Sequence, residues 1–128
     1  MICSLGKNQP AQVELPLMPE LPEVETIRLG LLGRVCNQRI ERVDIRCQRI
    51  ILRPQPHEMA AALGGQMIRD IQRRGKFLLF KLDDYCLLVH LGMTGSLRAF
   101  SRSPPRRPHD HVDLVLDDGV TLRYHDPR

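Results

Sequence analysis

One proline in this chain of 128 residues stands where its nitrogen could do chemistry. It is Pro19, in the stretch Met18-Pro19-Glu20-Leu21-Pro22-Glu23-Val24-Glu25. If translation starts at Met18 and that methionine is removed, Pro19 carries a free secondary amine. An α-amino group has a pKa of about 8, so a useful fraction is neutral and nucleophilic near neutrality. Such an amine can attack an electrophilic carbon. With two carbon substituents on nitrogen, the resulting iminium cannot shed its charge by losing a proton, and it stays an electron sink. Glu20 is the neighbouring carboxylate placed to move protons. The plain alternative is an acidic helix start with no chemistry: Pro22 presets a first-turn φ, and Glu23 and Glu25 suit a helix N-terminus. In the sequence as written, 17 residues precede Met18 and turn the Pro19 nitrogen into an amide, which is no nucleophile. That stretch, MICSLGKNQPAQVELPL, lacks a charged n-region and a continuous apolar h-region, so it is not a signal peptide. It reads as an unstructured leader over residues 1–17, ahead of the true start.

Three further stretches carry candidate groups. Lys76 follows Gln72-Arg73-Arg74-Gly75, and an exposed lysine there is a point-charge phosphate binder or simply a solvent-facing strand residue. His90-Leu91-Gly92-Met93-Thr94-Gly95 brackets Met93 with glycines, which favours a tight exposed loop over the core position a methionine more often takes. His109-Asp110-His111 looks at first like a metal site, but no further ligand cluster stands near it, and a turn into the following strand explains the trio. The net charge is +4, and arginine supplies 16 of the 19 cations, a bias towards bidentate phosphate and base contacts that a merely solvated basic surface would also satisfy. The four cysteines, at 3, 36, 47 and 86, form no C-x-x-C pair, which excludes a zinc ribbon or thioredoxin-type motif and suits a reduced, cytoplasmic setting. No stretch approaches the ~20 apolar residues of a membrane span.

The elements that must position these groups follow from pattern. Val24, Ile27, Leu31 and Val35 continue a stripe begun by Leu21, so a helix is expected from Pro22 to about Leu32, ended near Gly33. Residues 39–53 are ambiguous, since arginines recur at helical spacing while Val43, Ile45 and Cys47 alternate with polar residues; Ile50 and Ile51 favour strand. A short helix is expected over His57–Leu63, stopped by Gly64-Gly65. Strands are expected over Met67–Gln72, Gly75–Leu82 and Tyr85–His90, with Asp83-Asp84 as a turn, and over Thr94–Phe100. After a Pro/Arg loop, Val112–Leu116 and Val120–Tyr124 form a hairpin about Asp117-Asp118-Gly119. The expected class is α+β, a mostly antiparallel sandwich with a leading helix and a second short one.

The blocks MPELPEVET, QRRGKFLL, HLGMTGSLR and HDHVDL with YHDPR, in this order over residues 18–128, resemble the N-terminal catalytic domain of the formamidopyrimidine-DNA glycosylase family. The resemblance implies a base-excision enzyme that removes oxidised purines (formamidopyrimidines, 8-oxoguanine) from double-stranded DNA and cuts abasic sites. It implies Pro19 as Schiff-base nucleophile, Glu20 as acid/base and Lys76 as a phosphate contact that assists β-elimination. It implies DNA contacts from His90, Met93, His109 and Arg128, with Met93 inserted into the duplex and Arg128 facing the orphaned base. It implies a monomer, associated with a bacterial nucleoid. The family's helix-two-turn-helix module and four-cysteine zinc finger have no counterpart here, so the structural zinc is expected outside this chain, which should be inactive alone. Two rivals stay open: an endonuclease VIII-like enzyme for oxidised pyrimidines, and an inert DNA-binding fragment.

Overall fold

The computed structural model describes residues 2–7, 22–47, 49, 51–53 and 55–127. Its elements, in chain order, are β1 (Ile2–Lys7), α1 (Pro22–Val35), β2 (Ile40–Ile45), β3 (Ile51–Arg53), α2 (Pro56–Leu63), β4 (Ile68–Arg74), β5 (Phe77–Leu82), β6 (Tyr85–His90), β7 (Ser96–Phe100), β8 (Asp110–Leu116) and β9 (Thr121–His125). They make two sheets, one of five strands in the order β3-β1-β6-β5-β4 and one of four in the order β2-β8-β9-β7. Among the described residues all strand pairings are antiparallel except β1 with β3.

The core lies between the sheets. Phe80 and Leu78 of β5 and Leu87 and Val89 of β6 meet Val112, Leu114, Leu122 and Tyr124 of β8 and β9, all buried. A sandwich of open sheets leaves two seams, and each helix closes one. Helix α1 packs on β4 and β7, the edge strands along one seam, through Val24, Leu31 and Val35. Helix α2 packs on β2 and β3 along the other, burying Met59 and Leu63. This is the expected α+β sandwich with a leading and a second helix.

Four local expectations change. Ile2–Lys7, read as part of an unstructured leader, is a strand, paired antiparallel with β6 from Ile2↔His90 to Lys7↔Tyr85 and parallel with β3. Its physical reason is the open backbone edge of β6, a row of donors and acceptors that a passing extended segment can satisfy. Helix α1 runs through Gly33 to Val35, because Val35 becomes fully buried against the core. The stretch read as one strand over residues 39–53 splits into β2 and β3. Gly75, read as strand, has φ +59° and forms with Lys76 the turn between β4 and β5. The hairpin turns at Asp83-Asp84 and Asp117-Asp118-Gly119 stand as expected, with Gly119 at φ +89°.

Candidate active site and nucleic-acid interface

Lys76 sits in a turn that only a glycine at position 75 lets close without strain, and Gly75 is itself buried. The turn is tied to the next loop, since the Lys76 carbonyl accepts from the Leu91 N–H at 3.4 Å. His90 ends β6 opposite Phe77, and the two rings stack with centroids 4.4 Å apart. Lys76, His90 and the Met93 loop therefore share one end of the five-stranded sheet.

The loop from Leu91 to Gly95 is built to hold Met93 out. Gly92 takes φ +66°, and the Gly95 N–H donates to the Leu91 carbonyl at 2.9 Å. A Cβ on Gly95 would collide with the Leu91 carbonyl and stand 2.6 Å from the Tyr124 hydroxyl, so this position admits glycine alone. Met93 is 86% exposed. Thr94 Oγ1 donates to Asp126 Oδ1 at 2.6 Å, and Tyr124 Oη donates to Asp126 Oδ2 at 2.8 Å.

His109 lies in the turn just before β8 at φ +70°, a left-handed conformation that histidine tolerates better than most residues. Its carbonyl accepts from the Asp126 N–H at 3.1 Å, and its exposed ring stands edge-on to those of His111 and His125, 6.1 and 6.3 Å away. His111 Nε2 is 2.7 Å from the Asp126 carbonyl, which fixes the Nε2–H tautomer. Asp110 is buried, accepts from the Arg107 N–H at 2.7 Å and lies 2.8 Å from His125 Nδ1. Burial works against its charge, but these donors and the Arg107 side chain hold its pKa at about 2. His109, Asp110 and His111 thus turn to different partners. Among the described residues no group of three or more His, Cys, Asp or Glu is arranged to hold a metal, so the zinc that the resemblance implies finds no ligand set there.

Helix α1 is locked to the Lys76 turn by a second device that the sequence did not reveal. Glu25 receives Arg28 Nε and Nη2, each at 2.7 Å, and Arg73 Nε at 3.3 Å, while Arg73 Nη1 donates to the Gly75 carbonyl at 3.0 Å. The hydrogen bonds from Arg28, with both cationic charges, lower the Glu25 pKa to about 2. Glu25 is therefore a fixed anion, an anchor rather than a proton carrier. The signal lay in the adjacent pair Arg73-Arg74, but which of the two turns inward is a matter of strand face that the sequence leaves open. Asp126 was missed for a similar reason, standing unremarked between His125 and Pro127. Pro19, Glu20 and Arg128 lie outside the described residues. Hydrogen bonds thus link the Lys76 turn, the Met93 loop and the His109 turn, by way of Leu91 and Asp126.

Among the described residues no helix is long and apolar enough to cross a membrane. The profile of the formamidopyrimidine-DNA glycosylase N-terminal domain matches residues 18–128. Similar curated proteins include the formamidopyrimidine-DNA glycosylases of Methylococcus capsulatus, 49% identical over 112 residues, and Geobacter metallireducens, 47% identical over 111 residues; each match covers 87% of this chain and 41% of the relative. The chain thus spans about two-fifths of the length of these relatives. Among solved structures, Lactococcus lactis Fpg in complex with abasic-site DNA and with Fapy-dG DNA superimposes with a TM-score of 0.77 at 37% identity, over 84% of this chain and 40% of that one. The fold, the ordered blocks and this likeness agree: the chain belongs to the formamidopyrimidine-DNA glycosylase family and carries its N-terminal domain.

Proposed function

We propose that this chain is the catalytic N-terminal part of a DNA repair glycosylase with AP-lyase activity, which removes oxidised purines from double-stranded DNA through Pro19. The observation that carries the reading is Met93, 86% exposed on a loop that is hydrogen-bonded on one side to the Lys76 turn and on the other, through Asp126, to the His109 turn. The likeness to Fpg bound to abasic-site and Fapy-dG DNA supports the substrate class.

In this reading the damaged nucleotide leaves the stack, since C1′ is not open to attack inside a duplex. The Pro19 nitrogen lone pair forms a bond to C1′ as the bond to the base breaks; the base departs with a proton and the nitrogen loses its own. The C1′–O4′ bond then breaks as O4′ takes up a proton, which opens the sugar and leaves the iminium. The cationic iminium then draws electrons as a proton leaves C2′, expelling the 3′ phosphate, and a second elimination expels the 5′ phosphate. Glu20 moves protons at the sugar, and the Lys76 ammonium neutralises a phosphate beside the lesion. Met93 fills the gap left in the stack, as apolar wedges do in other DNA binders, and His109 and Arg128 bear on the strand around it. No step runs through zinc.

The test joins residues 19–128 to the C-terminal part of the Methylococcus capsulatus relative, giving a hybrid of a relative's length, and compares it with a hybrid that keeps residues 1–18. Borohydride should trap a covalent adduct with lesion DNA only when Pro19 is the first residue. Equal trapping with the leader intact excludes Pro19 as nucleophile. Preference for thymine glycol over 8-oxoguanine opposite cytosine would assign the chain to the endonuclease VIII-like branch, and binding without any adduct to the inert one.

A further inference from the structure

Met93 is held in water by four residues, Gly92 to Gly95, and such a loop has every hydrophobic reason to fold back on the sandwich. What opposes that collapse is polar. Thr94 carries the loop's one hydroxyl, and that hydroxyl is committed to Asp126 Oδ1 at 2.6 Å. Asp126 is 3% exposed, and every direction it offers is used. Oδ2 accepts from Tyr124, the N–H donates to the His109 carbonyl, and the carbonyl meets His111 Nε2. One buried carboxylate thus fixes the Met93 loop by its side chain and the His109 turn by its backbone.

We propose that Asp126, acting through Thr94, is the positioning residue that sets Met93 in the attitude required to enter the duplex and keeps it in register with His109. This rests on the reading of Met93 as the wedge. Asp126 touches no reacting atom. A hydrogen bond from a hydroxyl to a buried carboxylate is among the stronger kinds, and its loss releases the loop from the side chain of Asp126.

Substitution of Asp126 would also release Tyr124 from the core, so Thr94 is the cleaner probe. Thr94→Val, Thr94→Ser, Met93→Ala and the Met93→Ala/Thr94→Val double variant are made in the Pro19-initiated hybrid. Two quantities are read: single-turnover excision from a lesion duplex, and the emission of 2-aminopurine placed beside the lesion, which brightens when the stack is broken. Thr94→Val should lose about tenfold in excision, the worth of one hydrogen bond to a charged acceptor, together with most of the emission rise. Thr94→Ser should keep both, and the double variant should be no worse than Met93→Ala alone. Thr94→Val behaving like the unsubstituted protein overturns the proposal. So do losses that multiply in the double variant, which would mean that Thr94 acts independently of Met93. A neutral Met93→Ala in both readouts instead removes the wedge reading on which the proposal stands. Emission needs no turnover, so an inactive hybrid still decides the question.

Discussion

Two carboxylates in this domain are fixed as anions by geometry rather than by exposure. Asp110 lies buried at the start of β8, with the Arg107 amide and His125 against it. Glu25 is gripped by Arg28 and Arg73 in the first turn of α1. Their pKa values fall from 3.8 and 4.5 to about 2. A carboxylate whose folded pKa is depressed contributes stability that is fully present above its unfolded value and lost as pH falls through the folded one. The melting temperature of the chain should therefore hold near neutrality and drop between roughly pH 4.5 and pH 2. The Glu25→Gln and Asp110→Asn variants, already without the charge, should melt lower near neutrality yet show a shallower acid limb. A limb of unchanged slope in both would mean that these contacts do not set the acid stability. Arg123, paired at 2.8 and 3.0 Å with its cross-strand partner Asp113, is buried beside Asp110, 3.7 Å away, and anchors the Pro/Arg loop through Pro104 and Ser103. None of this pairing was legible beforehand, because sequence shows alternation along a strand but not which charged residue finds a partner on the next.

Helix α1 illustrates how two local rules compete. Gly33 reads as a stop, yet the helix continues to Val35, since burying Val35 and Leu31 outweighs the poor helix propensity of one glycine. Neither Gly30 nor Gly33 would bring an added Cβ within 4 Å of another group, apart from chain neighbours and the helix's own backbone. Gly33→Ala should therefore stabilise the chain by about 0.5–1 kcal/mol, read as a rise in the midpoint of thermal or urea unfolding. A fall would show that Gly33 meets a requirement beyond helix geometry. Strands with clear alternation and firm turns, β4 to β6 and β8 to β9, were legible within a residue or two. The boundary between β2 and β3 was not, since Arg39 to Arg53 satisfies both periods and only the packing of β2 on β8 and of β3 on β1 separates them.

At the scale of the molecule, the proposed role of Pro19 sets reactivity against stability. Strand β1 sits inside the five-stranded sheet, between β3 and β6, so the segment that blocks the Pro19 nitrogen also completes a sheet. It was invisible in the sequence because its partners come from far along the chain, and a six-residue strand has no stability of its own. Starting the chain at Pro19 frees the amine and removes β1 together. The edge of β6 from Tyr85 to His90 then opens, and β3 loses its strand partner. The pairings of β6 with β5 and β5 with β4, and the whole of the four-stranded sheet, do not involve β1, so the sandwich should persist. The version beginning at Pro19 should thus still unfold cooperatively, but be less stable by on the order of 1–3 kcal/mol, a few net backbone hydrogen bonds. Faster amide exchange should be confined to β6 and β3. Unchanged exchange there would mean that β1 adds nothing to the sheet. The predicted pattern would mean instead that a protein reactive at Pro19 must do without the strand, with His90 at the newly opened end of β6.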